Sequence, residues 1–275
     1  MSMRLSAATL TAASALVLGA CATTAAPPTA QEAALVLELE SRSLVPATAA
    51  ERQSVANQDL LTQAAFWAEA YEMNPADREA ATELARILRL LGSAPRAIEV
   101  ARQALALFPD DAGLLGAYGL ALAAEGRGQQ AIEPLTRASR LQPDNWRLIN
   151  ALGVSLEQAG RTTAARARFE EAMAIAPDEP SILSNLALSH ALAGEPEQAE
   201  PLLRRAMDND LASPQVRQNL ALVLALQGRF DEAEQIAAID STPEMAAANM
   251  AYVRAMMTSP RRWDSLSEAA LRGSR

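Results

Sequence analysis

Cysteine, the strongest nucleophile and thiolate metal ligand, and histidine, the usual general base near neutral pH, each occur once: Cys21 and His190. A serine triad needs a histidine held between a serine and a carboxylate, and a structural zinc site needs four nitrogen or sulfur donors. One histidine and one cysteine cannot complete a zinc ligand set, and they leave a single candidate base for any triad. The acidic pairs Asp110-Asp111 and Glu170-Glu171 fall at expected helix ends or on solvated faces, where a carboxylate is a cap or an ion-pair partner. No glycine-rich phosphate loop occurs. The residues therefore point away from an enzyme, a metal, a cofactor or a small-molecule substrate, and towards a protein that works by binding.

The charge narrows what could be bound. There are 33 acidic and 24 basic residues, a net charge of −9 and a pI near 4.8, and every basic residue is arginine. Phosphate backbones require a basic face, so nucleic acid is not expected as a partner, and an anionic lipid surface is disfavoured on the same ground. Half the residues are apolar but only 4% are aromatic. Alanine, leucine, arginine and glutamate favour helix, and strand-forming runs are scarce. An all-α fold is expected.

The N-terminus has an address rather than a core. Arg4 is followed by an apolar stretch, Leu5 to Gly19, of about 15 residues. That is shorter than the roughly 20 needed to span a bilayer and suits a secretory signal peptide. It ends in Leu18-Gly19-Ala20-Cys21, which resembles the bacterial lipobox. The resemblance implies removal of residues 1–20 and acylation of Cys21, the covalent lipid being the only added group expected. Several acyl chains together give firm anchorage. Ala22 comes next, where an aspartate would imply inner-membrane retention in many Gram-negative bacteria, so an outer-membrane, periplasm-facing position is implied. Residues 21–50 read as the acylated N-terminus and linker: Ala22 to Ala30 is small and proline-bearing, Gln31 to Arg42 allows a short helix, and Pro46 is a break ahead of the next segment.

Beyond the linker the chain repeats. Gly92, Gly126, Gly160, Gly194 and Gly228 share a spacing of 34, as do Ala97, Ala131, Ala165, Ala199 and Ala233, and Pro75, Pro109, Pro143 and Pro177. This period resembles the tetratricopeptide repeat, in which two antiparallel helices form each unit. The segment from Trp146 to Glu179 shows the pattern best, with Leu152, Gly153, Leu156, Ala165, Phe169, Ala172 and Pro177. The resemblance implies an α-solenoid, a right-handed superhelix of helix pairs, over 51–258. It comprises a half repeat at 51–77, repeats starting at 78, 112, 146, 180 and 214, a capping helix at 243–258, and a tail at 259–275. Small residues at the eighth position (Ala85, Gly119, Gly153, Ala187, Ala221) let the two helices of a pair approach, and each glycine should end the first helix at positive φ. Trp67 takes the Phe169 place in the half repeat, while Leu211 stands where the fourth repeat lacks its proline. Met245, Met250, Met256 and Met257 should pack beneath the cap, and His190 should sit in the core or at a groove edge.

In such a solenoid the second, fifth, ninth and twelfth positions of each first helix line the concave side. Here these are Glu79, Thr82, Arg86 and Arg89; Gly113, Gly116, Leu120 and Ala123; Arg147, Asn150, Val154 and Glu157; and, later, Ser181, Ser184, Leu188, Gln215 and Gln218. The expected groove is polar at its ends and small and apolar in its middle. Arg86, Arg89 and Arg147 are its candidates for carboxylates or backbone carbonyls. The lysine clamp of repeats that bind chaperone tails is absent, because the chain has no lysine.

The C-terminal passage, VRQNLALVLALQGRFDEAEQIAAID with AAANMAYVRAMM and RRWDSL, resembles the TadD-like lipoproteins of the tight-adherence (Tad/Flp) pilus assembly system. That resemblance implies a pilotin-like role, with the pilus secretin or other Tad assembly proteins as partners and the membrane engaged through the acyl chains. Another periplasmic repeat lipoprotein, an adaptor for peptidoglycan hydrolases or for outer-membrane assembly, is the competing reading.

Overall fold

The computed structural model describes residues 48–209 and 213–257, and within them thirteen helices and no strand. α1 (Ala49–Val55) and α2 (Leu60–Met73) precede five helix pairs. These are α3 (Arg78–Leu90) with α4 (Ala94–Leu107), α5 (Ala112–Ala124) with α6 (Gly128–Leu141), α7 (Trp146–Gln158) with α8 (Thr162–Ile175), α9 (Pro180–Leu192) with α10 (Pro196–Met207), and α11 (Pro214–Leu226) with α12 (Phe230–Ala237). α13 (Pro243–Met257) packs on α11 and α12 and closes the stack. The chain is an all-α solenoid of tetratricopeptide helix pairs. Cys21, Leu211, the linker and the tail lie outside the described residues.

Each boundary obeys a local rule. Asp77 and Asp111 stand immediately before first helices, and their carboxylates accept from Ala80 N at 3.0 Å and Leu114 N at 2.9 Å. These caps satisfy donors that the first helical turn leaves unpaired. First helices end at the five glycines, whose φ values of 72 to 80° belong to the left-handed region that glycine enters without a Cβ clash. The next N–H then reaches back five residues, as from Arg161 N to Leu156 O at 2.8 Å, closing the helix end. α8 stops at Ile175, two residues before Pro177.

The glycines of the eighth position act through packing instead. A Cβ on Gly119 would lie 2.5 Å from Leu135 Cγ, and one on Gly153 would overlap the Phe169 ring. Phe169 is 1% exposed, and Ala97, Ala131, Ala165, Ala199 and Ala233 are completely buried. The small residue in one helix is thus the space into which its partner's large residue fits. Trp67 fills the corresponding place between α2 and its neighbours, buried and beneath the Arg52 guanidinium at 5.5 Å. The apolar core runs along the stack in two large clusters, one over Val55 to Leu186 and one over Leu183 to Met250, with Met173 and Leu202 bordering both.

The cap corrects one expectation. Met250 is buried, but Met245 is 57% exposed. Ala246, Met250 and Val253 form the i, i+4, i+7 stripe that faces the stack, and Met245 sits one residue, about 100°, off that stripe. The side chains of Met256 and Met257 lie outside the described residues.

Candidate functional site: the inner row of helices

The curvature of the stack is set by which helices touch. The backbones of successive first helices (α3, α5, α7, α9, α11) approach one another in sequence, whereas those of successive second helices (α4, α6, α8, α10, α12) stand further apart, where long side chains such as Arg204 of α10 and Glu232 of α12 can still meet, here at 3.7 Å. The first helices therefore form the inner row, and the second helices splay on the outside.

At the start of this row, α1 does not run alongside α3; its Arg52 pairs with Asp77, which caps α3, and with Glu79. Glu79 is thus committed to an ion pair, while Thr82 Oγ1 donates to Arg78 O at 2.7 Å. Arg86 donates to Glu83 at 2.7 Å and, weakly, to Gln63 Oε1 of α2 at 3.3 Å. Arg89, one turn further on, is partly buried and has no carboxylate partner among the described residues. Burial, with repulsion from Arg86 second, lowers the Arg89 pKa from the ordinary arginine value. A desolvated guanidinium beside a second one is an unmatched requirement for negative charge.

Further along, several expected groove residues serve the stack instead. Asn185 donates to Asn150 at 3.1 Å and Asn219 donates to Ser184 at 2.8 Å, so the sixth position of one repeat bonds the fifth position of the repeat before it. Ser184 is consequently buried, contrary to its expected place on the open groove. Gly116 and Ala123 are buried too, and the Leu148 side chain lies 2.9 Å from where a Gly116 Cβ would be. Glu157 accepts from Thr162 at 2.8 Å and from Ser189 at 2.9 Å. Gln215 donates to Asn219 at 3.1 Å, Gln218 is exposed, and Arg147 stacks at 4.3 Å over Trp146. Arg86 and Arg89 therefore form one cationic point, and Arg147, on α7, belongs to a separate cation–π pair.

Gln63, Asn185 and Asn219 were not among the expected groove residues. Asn185 and Asn219 could have been found from their shared sixth position. Gln63 could not, because it lies on α2, ahead of the first full repeat and outside the register by which groove positions are counted.

His190 is half-buried in the last turn of α9. Its Nδ1 lies 2.8 Å from Glu195 Oε2, and Arg166 pairs with the same carboxylate oxygen at 3.0 Å. The imidazole and the guanidinium together hold the Glu195 carboxyl below the usual carboxylate range. Among the described residues, no group of His, Cys, Asp or Glu side chains could hold a metal ion, and no helix is long and apolar enough to cross a membrane.

Known proteins agree with this geometry. A family profile described as "Tetratricopeptide repeat" matches residues 146–212, and a second of the same description matches 63–112 and 184–246; together they span more than half of the chain. No curated protein matches. Among solved structures, that of PilW, described as a widely conserved type IV pilus biogenesis factor, is 20% identical with a TM-score of 0.62, covering 72% of this chain and 94% of PilW. A crystal structure of MamA is 18% identical with a TM-score of 0.47, covering 65% of this chain and 94% of MamA. The PilW likeness concerns the fold. Repeat register, helix pairing and profile matches together make this chain a tetratricopeptide-repeat protein.

Proposed function

We infer that the protein is a non-catalytic scaffold, tethered to the outer membrane through an acylated Cys21 and facing the periplasm, that holds a protein partner during pilus assembly. The observation that carries the binding role is the Arg86–Arg89 point on the inner row, where a partly buried cation lacks a counter-ion among the described residues. A partner carboxylate placed there would restore charge balance in a partly desolvated site, where charge-assisted hydrogen bonds are strongest. The pilus assignment is supported by the TadD-like C-terminal passage and agrees with the fold likeness to PilW. The partner is then the pilus secretin or a neighbouring Tad assembly protein, and the role is pilotin-like.

Deleting the protein should deplete the multimeric secretin in outer-membrane fractions, and Cys21→Ala should move a still-folded protein into the soluble fraction. Arg86→Gln with Arg89→Gln should keep the protein on the membrane but reduce its crosslinking to the partner. An undiminished secretin ring in the deletion strain would remove the pilotin reading.

A further inference from the structure

Because second helices splay, each pair of neighbouring repeats leaves a furrow on the outer side, floored by a first helix. Between α6 and α8 this furrow is a cleft of about 320 Å³. Its floor is Ile132 with the nearly buried Leu152 and Leu156, and Arg140, Arg161 and Arg168 stand around it. No carboxylate lines the cleft. Arg168 pairs with Glu171 at 2.5 Å, but Arg140 and Arg161 are exposed and have no ion-pair partner among the described residues. In a chain of net charge −9, where most of the described arginines pair with a carboxylate, three arginines around one apolar floor form a local charge inversion.

We propose that this cleft binds an acidic peptide segment of a protein partner, with one aliphatic side chain on the floor and the flanking carboxylates on Arg140, Arg161 and Arg168. Guanidinium groups match carboxylates in a bidentate fork, and several of them around one apolar patch require several carboxylates around one apolar group. Three guanidinium groups around one apolar floor call for more than one carboxylate, which favours an acidic peptide over a lipid with a single phosphate headgroup. The remaining polar groups do not dictate another ligand, since Thr136 and Ser139 already donate to carbonyls of their own helix at 2.6 and 3.1 Å. This site lies on the opposite side of the repeats from the inner row and does not depend on the pilus reading.

The test uses the full chain with ¹⁵N-labelled arginine, titrated with N-acetyl-Asp-Leu-Glu-amide while the side-chain Nε–H signals are observed. Arg140 and Arg161 should shift saturably, and added salt should weaken the binding. The uncharged peptide N-acetyl-Asn-Leu-Gln-amide should bind about tenfold more weakly, and N-acetyl-Asp-Ser-Glu-amide several-fold more weakly. Arg140→Gln with Arg161→Gln should reduce affinity about tenfold or more at an unchanged unfolding temperature. The proposal is overturned if these signals do not move, if the uncharged peptide binds equally, if the double variant binds undiminished, or if only Arg86 and Arg89 respond. A response to phosphatidylglycerol vesicles with none to the peptide would overturn it in favour of a lipid site.

Discussion

Two successive outer furrows, built in the same register, carry opposite electrostatic solutions. Where the α6–α8 furrow has Arg161, the α8–α10 furrow has Glu195, and where the first has Ile132, the second has Arg166. In the second, Arg166 and His190 converge on Glu195, so its charges are satisfied within the protein. In the first, Leu156 stands at the His190 position, the acid is missing, and the arginines remain open to the outside. A repeat scaffold can thus keep the same helix pairing while substitutions at three register positions decide whether the charges of a furrow are satisfied within the protein.

The wall common to both furrows is α8, and removing its anchor should give the largest effect. Phe169→Ala deletes a fully buried ring seated on Gly153 and should destabilise the fold by about 3–5 kcal/mol in chemical denaturation, with both furrows lost together. Loss of the arginine signals in one furrow alone would show that the two are not mechanically coupled through α8. Next, Glu195→Arg should convert the closed furrow towards the open one, raising its affinity for the acidic tripeptide by roughly threefold with Arg140 and Arg161 already substituted. No gain would mean that charge alone does not distinguish the furrows.

A smaller effect separates them by pH. Glu195 has a folded pKa below its ordinary 4.5, so its contribution to stability is present above that value and is lost as pH falls through the folded one. Glu200, where Arg229 leads and Arg204 assists in holding the carboxyl at about 2, moves in the same direction. Unfolding temperature should therefore decline from about pH 4.5 downwards, and Glu195→Gln should flatten part of that decline while Arg161→Gln leaves it unchanged. The smallest expected change concerns the inner row. Arg89→Leu removes a partly buried cation with no counter-ion among the described residues, so stability should stay level or rise by up to about 1 kcal/mol even as partner capture falls. A clear loss of stability would show that Arg89 is held by packing of its stem.

Much of the scaffold was legible because its causes are local or periodic. A glycine 34 residues after the last one, a capping aspartate such as Asp111 and a small residue opposite Phe169 each specify their structural role from sequence alone. The groove was less legible. Position within the repeat placed Ser184 and Asn150 on the inner row, but whether they meet solvent or the next helix depends on what stands at the sixth position of the next repeat, as Asn219 and Asn185 do. Arg89 illustrates the same limit: its place was readable, but its partial burial without a carboxylate partner is a property of the folded stack.

By itself, then, the sequence determined the helix pairs, their turns, the filled core positions and the excess of negative charge, because these arise from short-range conformational preference and a fixed period. Only the tertiary structure decided which arginines are neutralised. Arg140 and Arg168 lie on different helices and line one cleft only because of how successive repeats stack. Ion pairing varies over a few ångströms, a scale set by how the repeats stack and not by any one repeat.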